Sequence, residues 1–90
     1  MAEREPGPLA RARRWVDADG LHIDVRGLAP PEPLVAIVSL IESIADDTVI
    51  VHHERDPQLL YPELAERGWR AERIAGSDPG EFRLRLERDA

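Results

Sequence analysis

The chain is predicted to fold as an α/β protein of the α+β kind, a two-layer sandwich of order β-α-β-α-β-β with two helices on one face of a single sheet. Three observations predict this. Leu21-His22-Ile23-Asp24-Val25 alternates apolar and polar residues, the period of a half-buried strand. Leu34, Ile37, Val38, Ile41 and Ile44 recur at helical spacing, which marks an amphipathic helix. Trp69 to Ile74 and Glu81 to Glu87 read as strands on either side of Gly76-Ser77-Asp78-Pro79-Gly80, the loop of an antiparallel hairpin.

Ninety residues make one domain, large enough for one sheet covered by two helices. With 42% hydrophobic and 33% charged residues the composition is that of a soluble globular domain. Residues 1–17 are expected to be a flexible arm, with Pro6, Pro8, the Arg11 to Arg14 run and no periodic pattern; residues 18–90 form the domain. Trp15-Val16 ahead of the turn dipeptide Asp19-Gly20 allows a short edge strand before the first alternating one.

After that strand, Gly27 permits a turn, and Pro30, Pro31 and Pro33 set an extended approach to the first helix. Asp46-Asp47 interrupts the helical pattern, and Thr48-Val49-Ile50-Val51 is a β-branched run suited to a central strand. Asp56-Pro57 then supplies an N-cap and a first helical residue. Pro62 is expected to split the second helix into a turn at Pro57 to Leu60, a bend, and a helix from Pro62 to Arg67 that stops at Gly68. In the last strand Phe82, Leu84 and Leu86 face the core. Glu81, Arg83, Arg85 and Glu87 face outward with Arg70 and Glu72, a solvated lattice of ion pairs or else a docking surface. His22 falls on that outer face.

Composition excludes several functions. A net charge of -6 argues against a nucleic-acid partner, since phosphate binding needs concentrated positive charge. All twelve basic residues are arginine, which fits compositional drift in a GC-rich genome. Cysteine is absent, so disulfides, thiolate nucleophiles, persulfide carriage and cysteine-based metal sites are ruled out. No apolar run is long enough to span a membrane, and no apolar segment follows the N-terminal arginines, so the expected location is cytoplasmic.

Topology locates the candidate site. Two parallel strands joined through the long helix end at one edge of the sheet, so the stretch from Arg26 to Glu32 should lie near His53 to Asp56. The candidate ligand- or partner-binding residues are Arg26, Pro30, Glu32, His53 and Asp56. Arg26 suits a carboxylate or phosphate ligand; the commoner alternative is a salt bridge to Asp24, Glu32 or Asp56. His52 and His53 are adjacent on a strand and point to opposite faces, so they do not chelate one metal together. His53 and Asp56 are the weak candidates for metal ligands. No nucleophile–base pair is readable, so no catalytic residue and no cofactor is predicted.

Ile23-Asp24-Val25-Arg26-Gly27-Leu28-Ala29-Pro30-Pro31-Glu32-Pro33, the later Asp56-Pro57 with Leu59-Leu60-Tyr61, and Pro79-Gly80-Glu81-Phe82 together resemble the TusA/SirA-like fold. The chain looks most like the TusA-related family of unknown function, whose members occur alone or beside hemerythrin-like domains. The resemblance implies a mixed four-stranded sheet of order 1-2-4-3, its last strand antiparallel to the rest. In the sulfur-relay relatives a cysteine followed by Pro-x-Pro carries persulfide at this loop. Pro30 stands at that position here, so sulfur transfer is not expected. The related family often has a histidine just before the Asp-Pro, where this chain has Arg55. The expected function is a non-catalytic binding or regulatory module for a partner protein or a small anionic ligand. The alternatives are a metal or redox accessory to a hemerythrin-like or redox partner in nitrogen or sulfur metabolism and, least favoured, a sulfurtransferase-derived enzyme.

Overall fold

β-Branched and alternating segments pair into one mixed sheet. In the computed structural model, which describes residues 7–89, the elements run α1 (Pro8–Arg11), β1 (Arg13–Asp17), β2 (Gly20–Asp24), α2 (Glu32–Glu42), β3 (Val49–His53), α3 (Leu60–Glu66), β4 (Trp69–Ile74) and β5 (Phe82–Arg88). Strand order is β1-β2-β3-β5-β4. β2 and β3 are parallel, whereas β1–β2, β3–β5 and β4–β5 are antiparallel. No helix among the described residues is long and apolar enough to cross a membrane.

The α+β architecture is as expected, but among the described residues the sheet has five strands rather than four and there are three helices rather than two; the four expected strands lie in the order β2-β3-β5-β4, with β1 added outside β2. The added strand is β1, which pairs with the outer edge of β2 from Arg13↔Asp24 to Asp17↔Gly20. Within the stretch expected to be an arm, residues 8–17 carry α1 and β1; residues 1–6 lie outside the described residues.

Gly20 makes the β1–β2 turn possible. Its φ is 135°, and a Cβ there would sit 2.5 Å from the Thr48 carbonyl oxygen, which accepts the Leu21 N–H at 2.9 Å. Gly20→Ala combines a disfavoured φ with a backbone clash and is expected to destabilise the fold by about 2 kcal/mol. A urea midpoint unchanged from the parent would refute that expectation.

Ile23, Val49, Val51, Leu84 and Leu86 of the inner sheet face pack against Ala36, Ile37, Leu40 and Ile41 of α2 and Leu60 and Leu64 of α3. α2 begins two residues before the apolar pattern, with Pro31 as its N-cap and Pro33 in its first turn, where a missing N–H costs nothing. α3 departs from expectation in the same way. It starts at Leu60 with Leu59 as its N-cap, so Pro62 falls in the first turn and does not break it. Asp56 consequently caps nothing. Its carboxylate accepts hydrogen bonds from the Gln58 amide at 2.7 Å and the Tyr61 hydroxyl at 2.5 Å.

Candidate functional site

β2 and β3 end side by side, and the loops that follow them enclose a groove beneath the start of α2. Its cavity is about 240 Å³ and is lined mostly by apolar groups, among them Leu28, Pro30, Pro31, Leu34, Leu59 and Leu60. The Pro30–Pro31 peptide in its wall is cis. His53, the last residue of β3, closes the floor and is almost wholly buried. The Glu54 and Arg55 backbone N–H groups donate to His53 Nδ1 at 2.9 and 3.3 Å. The ring proton of neutral His53 is therefore on Nε2. Burial, only partly offset by nearby Glu54, pushes the His53 pKa below its ordinary value.

Of the five candidate residues, Pro30, His53 and Asp56 line this groove. Arg26 and Glu32 are engaged elsewhere. Arg26 grips Asp24 with two parallel bonds, Nε to Oδ1 at 3.0 Å and Nη2 to Oδ2 at 2.9 Å, and lies 3.6 Å from Asp78. The Arg26 bond holds the Asp24 carboxyl below the usual range although burial opposes it. Glu32 forms an ion pair with Arg11 of α1. Burial followed by the bond to Asp56 pushes the Tyr61 hydroxyl up to about 12.

A family model described as an uncharacterized conserved protein, DUF2249, matches residues 22–88. The chain belongs to the DUF2249 family. No curated protein matches it. Within this DUF2249 domain the matched residues hold the whole groove, β2 from His22 onward and the strands β3 to β5, while β1 precedes them.

A second cluster, on the opposite face of the sheet, was not foreseen. His22 and His52, each about 5% exposed, meet Nδ1 to Nε2 at 2.8 Å. The Trp15 ring stacks on His22 with centroids 5.0 Å apart and leans on His52 at 5.1 Å. His22 Nε2 reaches Asp19 Oδ1 at 2.6 Å, and His52 Nδ1 reaches Glu81 Oε2 at 3.2 Å. Glu81 in turn accepts from Arg83 Nη2 at 2.7 and 2.9 Å and from the Ser77 N–H at 3.2 Å. Its side chain is only 1% exposed. Burial alone would raise the Glu81 pKa, but these bonds outweigh it and the carboxyl stays below its usual range.

His22 is therefore not the unremarkable surface residue its outer-face position suggests, and Glu81–Arg83 is not part of a solvated lattice. The lattice proper consists of the more exposed Arg85, paired with Glu72 and Glu87, and Arg70, paired with Glu87 and Asp89. Alternation already placed His22, His52 and Arg83 on one face. A three-dimensional register was needed to show that His22 pairs opposite Ile50 and Asp24 opposite His52, which brings the rings together. Asp17, Asp19 and His22 also have ligand-type atoms within 4.8 Å of one another. An ion there would have to take the His22 Nε2 position that Asp19 holds, and both acids are exposed.

Proposed function

We propose that this DUF2249 domain is a non-catalytic binding module that seats an apolar side chain of a partner protein in the groove below α2. The carrying observation is the groove's apolar lining together with Leu59, a leucine 75% exposed at its margin. Concave apolar surface with a few polar groups at its edge is the usual form of a recognition site, and an exposed leucine beside it extends the contact area.

An anionic ligand has less to hold it. The first turn of α2 is poor in donors, because Pro31 and Pro33 lack an N–H and the Glu32 N–H is bonded to the Ala29 carbonyl at 2.8 Å. Glu32 adds negative charge, and Arg26 is committed to Asp24. Metal ligation at His53 and Asp56 is likewise disfavoured: His53 Nδ1 accepts two backbone N–H groups, and Asp56 accepts Gln58 and Tyr61. The likeness to TusA-related proteins suggests a hemerythrin-like or redox protein as the partner.

Amide NMR with N-acetyl-leucinamide as an apolar probe, and inorganic phosphate as the competing probe, tests the reading. The apolar probe is expected to shift Leu28, Leu34, His53 and Leu60. Leu59→Asp is expected to weaken those shifts several-fold while changing stability by less than about 0.5 kcal/mol, as for an exposed position. Phosphate shifts centred on Arg26, with none from the apolar probe, would overturn it.

A further inference from the structure

His53 ends β3 on the same face as Val49 and Val51, so its ring enters the layer between the sheet and the helices. The residue is 4% exposed. Its Nδ1 accepts the Glu54 and Arg55 backbone N–H groups at 2.9 and 3.3 Å, and a ring nitrogen that accepts carries no proton. Burial lowers the pKa of the ring and so favours its neutral form. The single ring proton is therefore on Nε2, which makes that atom a donor.

That donor has no acceptor among the described residues. The buried side-chain nitrogens that lack a partner and are closed to solvent are Arg83 Nε and Arg85 Nε, so solvent does reach His53 Nε2. His53 lines the groove, which gives solvent its way to the ring. Filling the groove removes that solvent. An occupant without an acceptor then leaves a desolvated N–H unpaired, whereas one with a well-placed acceptor regains the bond.

Given the apolar groove proposed above, we infer that His53 Nε2–H is its specificity-determining donor. The occupant is a stretch of peptide whose backbone carbonyl accepts this bond while its aliphatic side chain fills the cavity. Size points to one residue, because about 240 Å³ lies below the roughly 300 to 1,000 Å³ of pockets for small molecules. Charge selects a neutral acceptor. The charged lining residues are Glu54, Arg55 and Asp56, two acids against one base, so an ionised carboxylate meets net negative charge. A mid-chain carbonyl brings the acceptor without the charge, which separates a peptide segment from a chain terminus or a fatty acid.

Long-range proton–nitrogen-15 spectra of the full chain near neutral pH test the pairing. N-acetyl-leucinamide is the probe with a carbonyl, and cyclopentane is the probe without one. In the free protein His53 is expected to carry its proton on Nε2 and none on Nδ1. N-acetyl-leucinamide is expected to move the His53 Nε2 resonance downfield. Cyclopentane is expected to shift the Leu28, Leu34 and Leu60 amides without that move. His53→Asn keeps a side-chain oxygen near the Glu54 N–H but has no Nε2. It is expected to weaken N-acetyl-leucinamide binding about two- to tenfold, the size of one net hydrogen bond, and not to weaken cyclopentane binding.

Two results overturn the inference while leaving the groove intact. In one, N-acetyl-leucinamide shifts the Leu28 and Leu60 amides but not His53 Nε2; in the other, His53 proves to be protonated on Nδ1. Spectra of the parent chain decide both, even where His53→Asn fails to fold. Binding of neither probe overturns the groove reading itself, and this inference with it.

Discussion

Glu81→Gln is expected to destabilise the domain by about 3 kcal/mol at neutral pH, because it removes one charge of a buried pair and leaves the other. The Glu81 side chain is 1% exposed, and Arg83, the partner it would leave behind, is 17% exposed. Arg83 Nη2 bonds both Glu81 oxygens and the Ser77 hydroxyl, while Arg83 Nε is buried with no hydrogen-bond partner among the described residues. Among the described residues Glu81 is the one carboxylate paired with Arg83, so no other acid compensates the guanidinium. Glutamine keeps the shape and one acceptor oxygen, so the measured loss reports charge rather than volume.

The pH dependence of that loss follows from the lowered Glu81 pKa. A carboxyl whose folded value lies below its unfolded value, about 4.3 for glutamate, contributes stability that is complete above the unfolded value. That contribution disappears as pH falls through the folded value. Parent and Glu81→Gln should therefore differ most near neutrality and converge in acid. Urea unfolding at both ends of that range checks it. A difference below about 0.5 kcal/mol near neutrality, the size of an ordinary surface substitution, would mean that Glu81 is not buried against Arg83 in solution.

Elements whose burial has a simple period were legible in the sequence. β2, α2 and the β4–β5 hairpin each present one apolar face to one core, and period 2 or 3.6 reports that directly. β1 has no such period, and only the turn dipeptide Asp19-Gly20 after Trp15-Val16 pointed to it. Its Val16 is 80% exposed, while Trp15 covers polar rings on the outer face, where an alternating pattern leads one to expect solvent. Pattern reading assumes that the outer face is wet, and here Trp15 dries part of it.

The candidate site was legible to the extent that topology governs it. Parallel β2 and β3 must end at one edge, and that edge brings Pro30, His53 and Asp56 together. Side-chain commitments are not fixed by topology. Arg26 is taken by an aspartate two residues away, within easy reach of a long side chain, and Glu32 by an arginine from a stretch expected to lie free of the domain. What remained at the edge was the apolar lining, so of the two expected occupants, a partner protein or a small anionic ligand, the lining favours the first. The structure thus has two faces with different chemistry: an apolar groove on one, and buried His22 and His52 beneath Trp15 on the other.

Leu84→Ala is expected to cost about 3 to 4 kcal/mol, and both faces depend on the strand it would loosen. Leu84 is 1% exposed at the middle of β5, opposite Val51 of β3 and Arg73 of β4. Removing three buried carbons forfeits transfer free energy and leaves a cavity that the two flanking strands cannot fill without breaking ladder bonds. For a domain of this size each kcal/mol lowers Tm by about 4 to 8 °C, so a fall of about 15 °C or more is expected in a thermal melt. Leu84→Met, which conserves volume, should cost less than about 1.5 kcal/mol. The consequences reach both sites because Leu84 lies between Arg83 and Arg85, and its partner Val51 directly precedes His52 and His53. Loosening β5 should therefore broaden the His52 and His53 ring signals even in buffer that keeps the variant folded. A loss below about 1 kcal/mol for Leu84→Ala would mean that the inner sheet face is not tightly packed at its centre.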